Sequence, residues 1–279
     1  MTAFVKMHGL GNDFVVFDGR KSGLLLEPSL ARAVADRRSG IGCDQVIVIE
    51  SSKNGSAAVM RIMNADGGEV ESCGNAARCV ARLLMEEGDK ASVRIDTLGG
   101  PLVCSDAGHG AVTVDMGSPR FDWPDIPLAE ALDTNGFPIQ TNGVSFMASA
   151  VSVGNPHCVL FVDDAESAPV ADIGSRLEHH RLFPARTNVE FVTVISPSYL
   201  RMRVWERGVG ITRACGTGAC AAVVAGARRK ISARTATVVL DGGSLDIEWR
   251  ESDDHILMTG PSSLSFSGDI DLASLERPS

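Results

Sequence analysis

The chain has 279 residues, of which 44% are hydrophobic and 5% aromatic, and its formal net charge is -9 at pH 7. This length and apolar content suffice for a buried core in two domains of ordinary size or in one large domain. The acidic balance and the scattered Lys and Arg residues argue against a nucleic-acid partner. We see no stretch typical of a signal peptide or a transmembrane helix, so the sequence predicts a cytoplasmic protein without a membrane partner.

Short apolar runs bounded by Gly, Asn, Asp or Pro dominate the chain and are typical of half-buried strands in a turn-rich sheet. They predict strands over 14–17, 45–49, 58–63, 92–97, 111–116, 151–153, 158–162, 190–195, 199–205, 236–240, 244–249 and 255–259. Helical patterns are fewer and cover 28–36, 74–87, 173–179 and 216–230. The stretch 118–143, rich in Pro, Asp and Asn, is interpreted as the beginning of a second domain.

The order of these elements repeats along the chain, with strands, one long helix and strands again. We therefore predict a mixed α/β (α+β) fold of two pseudo-symmetric domains, with the active site in the cleft between them. Each domain is expected to be a mostly antiparallel sheet wrapped around a central helix. The domains are predicted over 1–117 and 118–262. Alternating apolar positions in 263–275 predict a further strand, so 263–279 is expected to return to the first domain.

Both predicted central helices begin with a Cys-Gly pair, at 73–74 and again at 215–216. A cysteine at a helix start lies among unpaired backbone amides at the positive end of the helix dipole, which favours its thiolate and can hold a carboxylate. One thiolate can take a proton from one face of a carbon atom while a thiol returns a proton to the opposite face. The duplicated motif therefore predicts an enzyme that inverts a stereocentre.

The remaining five of the seven cysteines are interpreted as small buried hydrophobes. These are Cys43, Cys79, Cys104, Cys158 and Cys220. The odd number favours reduced thiols over a disulfide framework. There is no Cys-x-x-Cys, no clustered histidine of the kind that zinc needs, and no phosphate-binding Gly-x-x-x-x-Gly-Lys. We predict neither a metal nor a cofactor.

Neutral amide side chains lie beside glycines or in turn-like settings at five places along the chain. They are Asn12, Gln45, Asn64, Asn155 and Asn188. Each one alone is typical of a turn, but together they suit the ammonium and carboxylate groups of an amino acid without adding net charge. His157 is titratable near neutral pH and could therefore tune a thiol. Glu206 and Arg207 follow each other in the sequence and combine an acid with a guanidinium suited to binding a carboxylate.

These blocks resemble the diaminopimelate epimerase family. The matching segments follow the family's order and are KMHGLGNDF at 6–14, NADG at 64–67, CGNAARC at 73–79, GNPH at 154–157 and ERGVGITRACGTG at 206–218. The departures are small: Ala76 stands where many members have glycine, and Cys43 and Cys158 add thiols beside functional blocks.

The resemblance implies a cofactor-independent enzyme that interconverts LL- and meso-diaminopimelate in lysine and peptidoglycan precursor biosynthesis, in a family whose members are usually homodimers. It implies that Cys73 and Cys215 are the acid/base residues, with His157 assisting Cys73 and Glu206 assisting Cys215. The amides implied to hold the carboxylate at the reacting carbon are those of Gly74, Asn75, Gly216 and Thr217. The other implied substrate contacts are Asn12, Gln45, Asn64, Asn155, Asn188, Glu206 and Arg207.

Two other functions fit part of this pattern. A proline or hydroxyproline racemase also uses two thiols, but the Glu206-Arg207 pair and the several amides favour a substrate with a second charged end. A thiol-based redox or metal-binding protein is the alternative from another class. Bound zinc, or an ordinary pKa at both cysteines, would favour that alternative.

Overall fold

The computed structural model describes residues 1–71 and 73–275. It has a mixed α and β architecture in which strands dominate and helices are few. The chain divides into two compact units. Unit 1 comprises Met1–Val114 together with the segment from Gly260 onward, and unit 2 comprises Asp115–Thr259. Within the described residues, no helix is long and apolar enough to cross a membrane.

Unit 1 begins with a sheet whose inner strands are apolar along their whole length. The segment Phe14–Phe17, for example, is buried at four consecutive positions, as expected for a strand covered on both faces. The elements are β1 (Thr2–Gly9), β2 (Asn12–Asp18), α1 (Pro28–Ala35), β3 (Gln45–Glu50), β4 (Ala58–Asn64), β5 (Glu69–Val70), α2 (Gly74–Gly88), β6 (Ser92–Thr97), β7 (Gly100–Gly108) and β8 (Ala111–Asp115).

Helix α2 is the apolar centre of unit 1. Its buried positions include Ala76, Ala77, Val80, Ala81 and Leu84, and it packs against β1, β2, β6 and β7. The strands pair β1 with β2 antiparallel, β2 with β3 parallel, β3 with β4 antiparallel, β4 with β6 parallel and β6 with β7 antiparallel, while β5 adds to β4. The expected sheet around a central helix is therefore confirmed for this unit.

Unit 2 has the same plan around a second buried helix. The elements are β9 (Phe137–Thr141), β10 (Val144–Ser152), β11 (Pro156–Phe161), α3 (Val170–Glu178), β12 (Asn188–Ser196), β13 (Tyr199–Glu206), β14 (Gly210–Thr212), α4 (Gly216–Arg228), β15 (Thr235–Leu240), β16 (Gly243–Trp249) and β17 (Ile256–Pro261). Helix α4 consists mostly of small apolar residues, and it packs against β10, β11, β12, β13, β15 and β16.

The strand pairings of unit 2 repeat those of unit 1 in order and in sense. β10 with β11 is antiparallel, β11 with β12 parallel, β12 with β13 antiparallel, β13 with β15 parallel and β15 with β16 antiparallel, while β14 adds to β13. Strand β11 therefore corresponds to β2, β12 to β3 and α4 to α2. The strand registers then show which residues of the two units are equivalent. Phe14 pairs with Gln45 in unit 1 and His157 pairs with Asn188 in unit 2, so Phe14 corresponds to His157 and Gln45 to Asn188.

The last segment of the chain adds a strand to unit 1. Strand β18 (Ser263–Ile270) pairs antiparallel with β1 from Thr2↔Ile270 to His8↔Ser263, and a short helix, α5 (Leu272–Leu275), follows. The predicted return of 263–279 includes 276–279, which lie outside the described residues.

The structure adds strands that the sequence pattern did not predict. Strand β1 carries Lys6, whose amine forms a salt bridge with Asp13, so a polar position proves to be buried. Strand β7 begins Gly-Pro and contains Ser and Asp, composition typical of a turn, but it pairs with β6 along its length. Strand β9 lies inside 118–143, and β10 extends the predicted 151–153 back to Val144. Helix α3 starts at Val170 rather than 173, directly after Pro169.

Candidate active site

Cys73 is the N-cap residue of α2, with an extended backbone (φ -147°, ψ 112°) and a carbonyl that accepts from the Ala77 amide at 2.9 Å. Its side chain is half-buried, and its thiol donates to Asn12 Oδ1 at 3.9 Å. Asn75 Nδ2 donates to the same oxygen at 3.2 Å, and the fully buried Arg78 donates to Asn75 Oδ1 at 2.7 Å. The Cys73 thiol and Asn75 therefore share the Asn12 oxygen, and Arg78 holds Asn75 in place.

Asn12 is oriented by Asp44, because its Nδ2 donates to Asp44 Oδ2 at 3.0 Å. Asp44 belongs to a charged network with Asp13, Lys6 and Arg37, in which Lys6 Nζ lies 2.6 Å and Arg37 Nη2 2.7 Å from Asp13. Burial alone raises the pKa of Asp13, but hydrogen bonds from Arg37 and Lys6 outweigh it and hold that pKa below its usual range. The Asp13 carboxylate is therefore charged at neutral pH, and Asp44 fixes which way the Asn12 amide points.

Gln45 and Asn64 begin β3 and end β4 as neighbours across the strand pair. Gln45 Nε2 donates to Asn64 Oδ1 at 2.9 Å. Gln45 Oε1 is buried and makes no hydrogen bond within the described part of the chain. Cys73 thus contacts Asn12, Asn12 contacts Asn75, and Gln45 pairs with Asn64 in the same unit. We call Asn12, Gln45, Asn64, Cys73, Gly74 and Asn75 the Cys73 group.

Cys215 is the N-cap residue of α4, again with an extended backbone (φ -125°, ψ 110°). It is buried, and its sulfur accepts from the Gly218 amide at 3.4 Å and lies 3.5 Å from Thr217 Oγ1. A Cβ atom on Gly218 would lie 3.3 Å from this sulfur, so the first turn passes close to the thiol. Burial, and then the negative charges of Glu206 and Glu190, raise the pKa of Cys215 well above its ordinary value.

Glu206 ends β13, nine residues before Cys215, and is half-buried. Its carboxylate accepts a hydrogen bond from the Thr212 hydroxyl. Burial raises the pKa of Glu206, and the hydrogen bond from Thr212 offsets part of that rise. The charge of this carboxylate in turn helps to raise the pKa of Cys215, so the two groups lie close enough to influence each other's protonation.

His157 is completely buried between an amide and a carboxylate. Its Nδ1 donates to Glu190 Oε1 at 2.7 Å, and its Nε2 lies 2.8 Å from Asn155 Oδ1. Asn155 Nδ2 in turn donates to Thr217 Oγ1 at 3.4 Å, which connects the histidine to the first turn of α4. The hydrogen bonds of His157 thus lie within unit 2, and its implied assistance to Cys73 stays a prediction.

The Glu206-Arg207-Gly208 turn is held by two buried side chains. Asn188 Oδ1 accepts from the Arg207 amide at 3.0 Å, while Asn188 Nδ2 donates to the Pro156 carbonyl at 2.9 Å. Glu178 accepts from the Gly208 amide at 2.9 Å. The Arg207 side chain itself is exposed and donates to the Ala185 carbonyl at 3.3 Å. Asn188 therefore supports the turn that presents Arg207.

The residues of unit 2 differ from those of the Cys73 group in including a carboxylate, an imidazole and a guanidinium. We call Asn155, His157, Asn188, Glu206, Arg207, Cys215, Gly216 and Thr217 the Cys215 group. Sequence reasoning missed Asp44, which holds Asn12 of the Cys73 group. It also missed Glu178 and Glu190, which hold the 206–208 turn and His157. In residues 1–71 and 73–275, no cluster of three or more His, Cys, Asp or Glu side chains is arranged to hold a metal ion.

Comparison with known proteins identifies the family. The family model described as Diaminopimelate epimerase matches residues 4–122 and 149–265, which includes both cysteine groups. This chain belongs to the diaminopimelate epimerase family. It is 52% identical over 268 residues to the diaminopimelate epimerase of Rhodospirillum centenum, a match covering 96% of this chain and 91% of the relative. It is 50% identical over 272 residues to that of Acidiphilium cryptum, covering 98% and 97%. The chain is therefore an isomerase.

Solved structures of other isomerases share the fold. A probable proline racemase from Agrobacterium radiobacter superposes with a TM-score of 0.70 at 14% identity, covering 98% of this chain and 93% of that one. A hydroxyproline epimerase from Agrobacterium vitis gives 0.68 at 16% identity, covering 96% and 91%. At these identities the likeness is one of fold alone, and membership of the diaminopimelate epimerase family depends on the sequence matches.

Proposed function

We propose that this isomerase interconverts LL-diaminopimelate and meso-diaminopimelate with Cys73 and Cys215 as a two-base pair, in the biosynthesis of lysine and peptidoglycan precursors. The observation that carries the proposal is the repeated helix start, in which each cysteine is the N-cap of a buried central helix. Membership of the family and relatives at 52% and 50% identity support the choice of substrate. No cofactor takes part in this proposal.

The reaction moves one proton between the two faces of an α-carbon. One sulfur, as thiolate, takes the α-proton, and the electrons of the broken C–H bond move into the substrate carboxylate. The other sulfur, as thiol, gives its proton to the opposite face, so a new C–H bond forms and the two sulfurs exchange protonation states. Because an α-proton is a very weak acid, the negative charge that develops needs donors arranged in advance. We assign that role to the helix-start amides of Gly74, Asn75, Gly216 and Thr217.

Cys215 enters this cycle as the proton donor. Burial and the neighbouring carboxylates raise the pKa of its thiol, so the proton is present at neutral pH. In the reverse direction Glu206, whose charge acts on that thiol, takes the proton and generates the thiolate. We propose that His157 assists Cys73 in the corresponding way, on the strength of the family resemblance.

The remaining substrate contacts are proposed for side chains with amide or guanidinium donors. They are Asn12, Gln45, Asn64, Asn155, Asn188, Glu206 and Arg207. We propose that each unit acts as one epimerase domain, with boundaries at 1–117 plus 263–279 and 118–262. A homodimer and a cytoplasmic location are further proposals that depend on the family resemblance alone.

Deuterium incorporation tests the function directly. The protein is incubated with LL-diaminopimelate in D2O, and the meso product is expected to carry one deuterium at the inverted α-carbon, because the donating thiol has exchanged with solvent. The same assay with proline and hydroxyproline tests the racemase alternative, whose fold the structural neighbours share. Inversion of proline without inversion of diaminopimelate would overturn the proposed substrate.

Removing either active thiol is expected to abolish inversion. Cys73→Ala and Cys215→Ala should each lower the epimerisation rate by about 10³-fold or more, because each sulfur serves one face of the carbon. Cys79→Ala and Cys220→Ala are matched controls in α2 and α4, and should keep their activity at a cost of about 1 kcal/mol in unfolding free energy. Near-normal inversion by the Cys73 or Cys215 variant would remove that residue from the mechanism.

A further inference from the structure

The buried pair His157 and Glu190 is the most unusual feature of unit 2. Both side chains are 0% exposed, and His157 Nδ1 donates to Glu190 Oε1 at 2.7 Å. Charged groups are rarely buried completely unless they are paired, because removal from water is costly. The second carboxylate oxygen, Oε2, is also buried and has no hydrogen-bond partner in the part of the chain that the structure describes. Such a carboxylate is kept at a cost in stability.

The corresponding positions of unit 1 show that the fold does not require this pair. Phe14 pairs with Gln45 between β2 and β3, and His157 pairs with Asn188 between β11 and β12, so Phe14 is equivalent to His157. Ile47 lies two residues after Gln45, and Glu190 lies two residues after Asn188. Ile47 is therefore equivalent to Glu190. Phe14 and Ile47 are both 0% exposed. The same strands therefore pack with two apolar side chains in one unit and with an imidazole and a carboxylate in the other. Replacing buried ionic pairs by apolar residues is often neutral or stabilising, so packing does not explain the pair.

Glu190 also lies against the first turn of α4. A Cβ atom on Gly218 would come within 3.0 Å of Glu190 Oε1, and Gly218 donates its amide to the Cys215 sulfur. The carboxylate is thus enclosed by the imidazole on one side and the helix start on the other. The charged and titratable groups around it are His157, Cys158, Glu206 and Cys215.

We propose that Glu190 is a positioning residue of this enzyme, one whose carboxylate fixes the His157 imidazole with Nδ1–H toward Glu190 and Nε2 toward Asn155. This inference rests on the proposed epimerase function. A buried carboxylate that accepts from one ring nitrogen determines the orientation of the ring. The other ring nitrogen, Nε2, then faces Asn155 Oδ1 at 2.8 Å, on the side where Thr217 also lies.

Two substitutions separate positioning by charge from simple packing. Glu190→Gln keeps the shape of the side chain but can turn an NH2 group toward Nδ1, whereas Glu190→Asp keeps the carboxylate and loses one methylene. If Glu190 positions the imidazole by its charge, kcat falls by roughly 100-fold or more in the Gln variant, with KM little changed, and the Asp variant keeps more activity than the Gln variant. Glu166→Gln, at an exposed glutamate of the same unit, is the control and should match the unaltered enzyme.

A double substitution tests whether Glu190 acts through the histidine. In a His157→Gln background, adding Glu190→Gln should cause no further loss, because the group that it positions is already absent. Losses that multiply across the two sites would show that Glu190 acts by a route other than His157, and a Gln variant more active than the Asp variant would show that it acts by shape; either result would overturn the inference.

The ring itself provides a readout that does not depend on catalysis. In protein labelled with ¹⁵N-histidine, the signal that disappears in His157→Gln identifies the His157 ring, and we expect Glu190→Gln to shift its Nδ1 resonance. An unmoved resonance would overturn the inference even if the enzyme is an active epimerase. Failure of the unaltered protein to incorporate deuterium into diaminopimelate would instead overturn the proposed function, while the Glu190-dependent shift would still be seen.

Discussion

The thiol of Cys215 keeps its proton at neutral pH because of its surroundings. Burial contributes most, and the charges of Glu206 and Glu190 add to it, which opposes the stabilisation of a thiolate that a helix N-terminus provides. Cys73 occupies the same N-cap position but has Asn12 and Asn75 as neighbours. The same helix start thus has amide side chains beside its cysteine in one unit and carboxylates in the other.

Glu206→Gln should separate thiol reactivity from catalysis. Removing this charge lowers the pKa of Cys215, so more of the thiol is ionised at a given pH and its alkylation by iodoacetamide at pH 8 should speed up by about two- to tenfold. Epimerisation should fall, because the group that takes the thiol proton is lost. Alkylation is followed at the Cys215 peptide by mass spectrometry, with Glu166→Gln as control. Slower alkylation of Cys215 in the variant would contradict the assigned effect of the Glu206 charge.

Arg207→Lys should weaken substrate binding more than chemistry. The Arg207 backbone is fixed through Asn188 while its guanidinium is exposed, so the side chain is presented to a ligand from a rigid turn. A lysine cannot reproduce a two-pronged carboxylate contact, and KM for diaminopimelate should rise by about tenfold or more with a smaller change in kcat. Arg176→Lys on α3 provides the matched control. An unchanged KM would mean that Arg207 does not contact the substrate.

At the scale of single residues, only part of the site could be predicted from the sequence. The cysteine motifs and the amide residues are contiguous or glycine-flanked, so local patterns show them. Glu190 lies inside the apolar strand β12, and only the pairing of β12 with β11 brings it to His157. A single charge at a position that should be buried was the available signal, since such charges need partners. Asp44 likewise contacts Asp13, which lies 31 positions away in the sequence. Glu178 contacts Gly208, which lies 30 positions away.

The starts of α2 and α4 are the elements on which the proposed mechanism depends. The Cys-Gly pairs and the alanine-rich runs that follow them predicted both helices to within two residues at each end. Strand β1 was missed because its polar positions are stabilised by pairing with β18 near the other end of the chain, which no local window contains. Strands β7 and β9 were missed because their turn-like residues form hairpins with the neighbouring strands β6 and β10, and this pairing outweighs their composition.

Gly218→Ala should damage the helix start without unfolding the helix. Alanine is the better helix former, but its Cβ atom would lie 3.0 Å from Glu190 Oε1 and 3.3 Å from Cys215 Sγ, so the carboxylate or the thiol must shift. A displacement of this kind should lower kcat by about 100-fold while leaving the thermal midpoint close to that of the unaltered protein. Gly88→Ala at the end of α2 meets only the flexible Lys90 side chain and should be fully active. Equal activity of the two variants would show that the first turn of α4 tolerates the shift.

The two units of the whole molecule repeat one topology but bury different chemistry. Unit 1 places Phe14 and Ile47 where unit 2 places His157 and Glu190, so the repeat predicts the architecture and not the roles of equivalent positions. Buried thiols are nevertheless common to both units. Cys43 and Cys79 belong to unit 1, and Cys158 and Cys215 to unit 2.

These thiols should make the protein less stable at alkaline pH. Burial raises the pKa of Cys43 to about 11 and that of Cys79 to about 12, and it also raises the pKa values of Cys158 and Cys215, from an ordinary value of 9.0. Above pH 9 the unfolded chain loses these protons while the folded chain keeps them. The free energy of unfolding should therefore be unaffected below pH 9 and should fall above it, by about 1.4 kcal/mol per pH unit for each such thiol.

Urea unfolding between pH 7.5 and 10.5, with a reductant present throughout, measures this dependence. A Cys79→Ala/Cys158→Ala variant loses two buried side chains from the core, so it should be less stable at pH 7.5. Because it also has two fewer of these thiols, it should lose stability more slowly above pH 9. The difference between the two proteins isolates the thiol contribution from that of lysine side chains, which both share. Parallel pH profiles for the two proteins would contradict the assignment, because the lost protons would then come from groups other than the buried thiols.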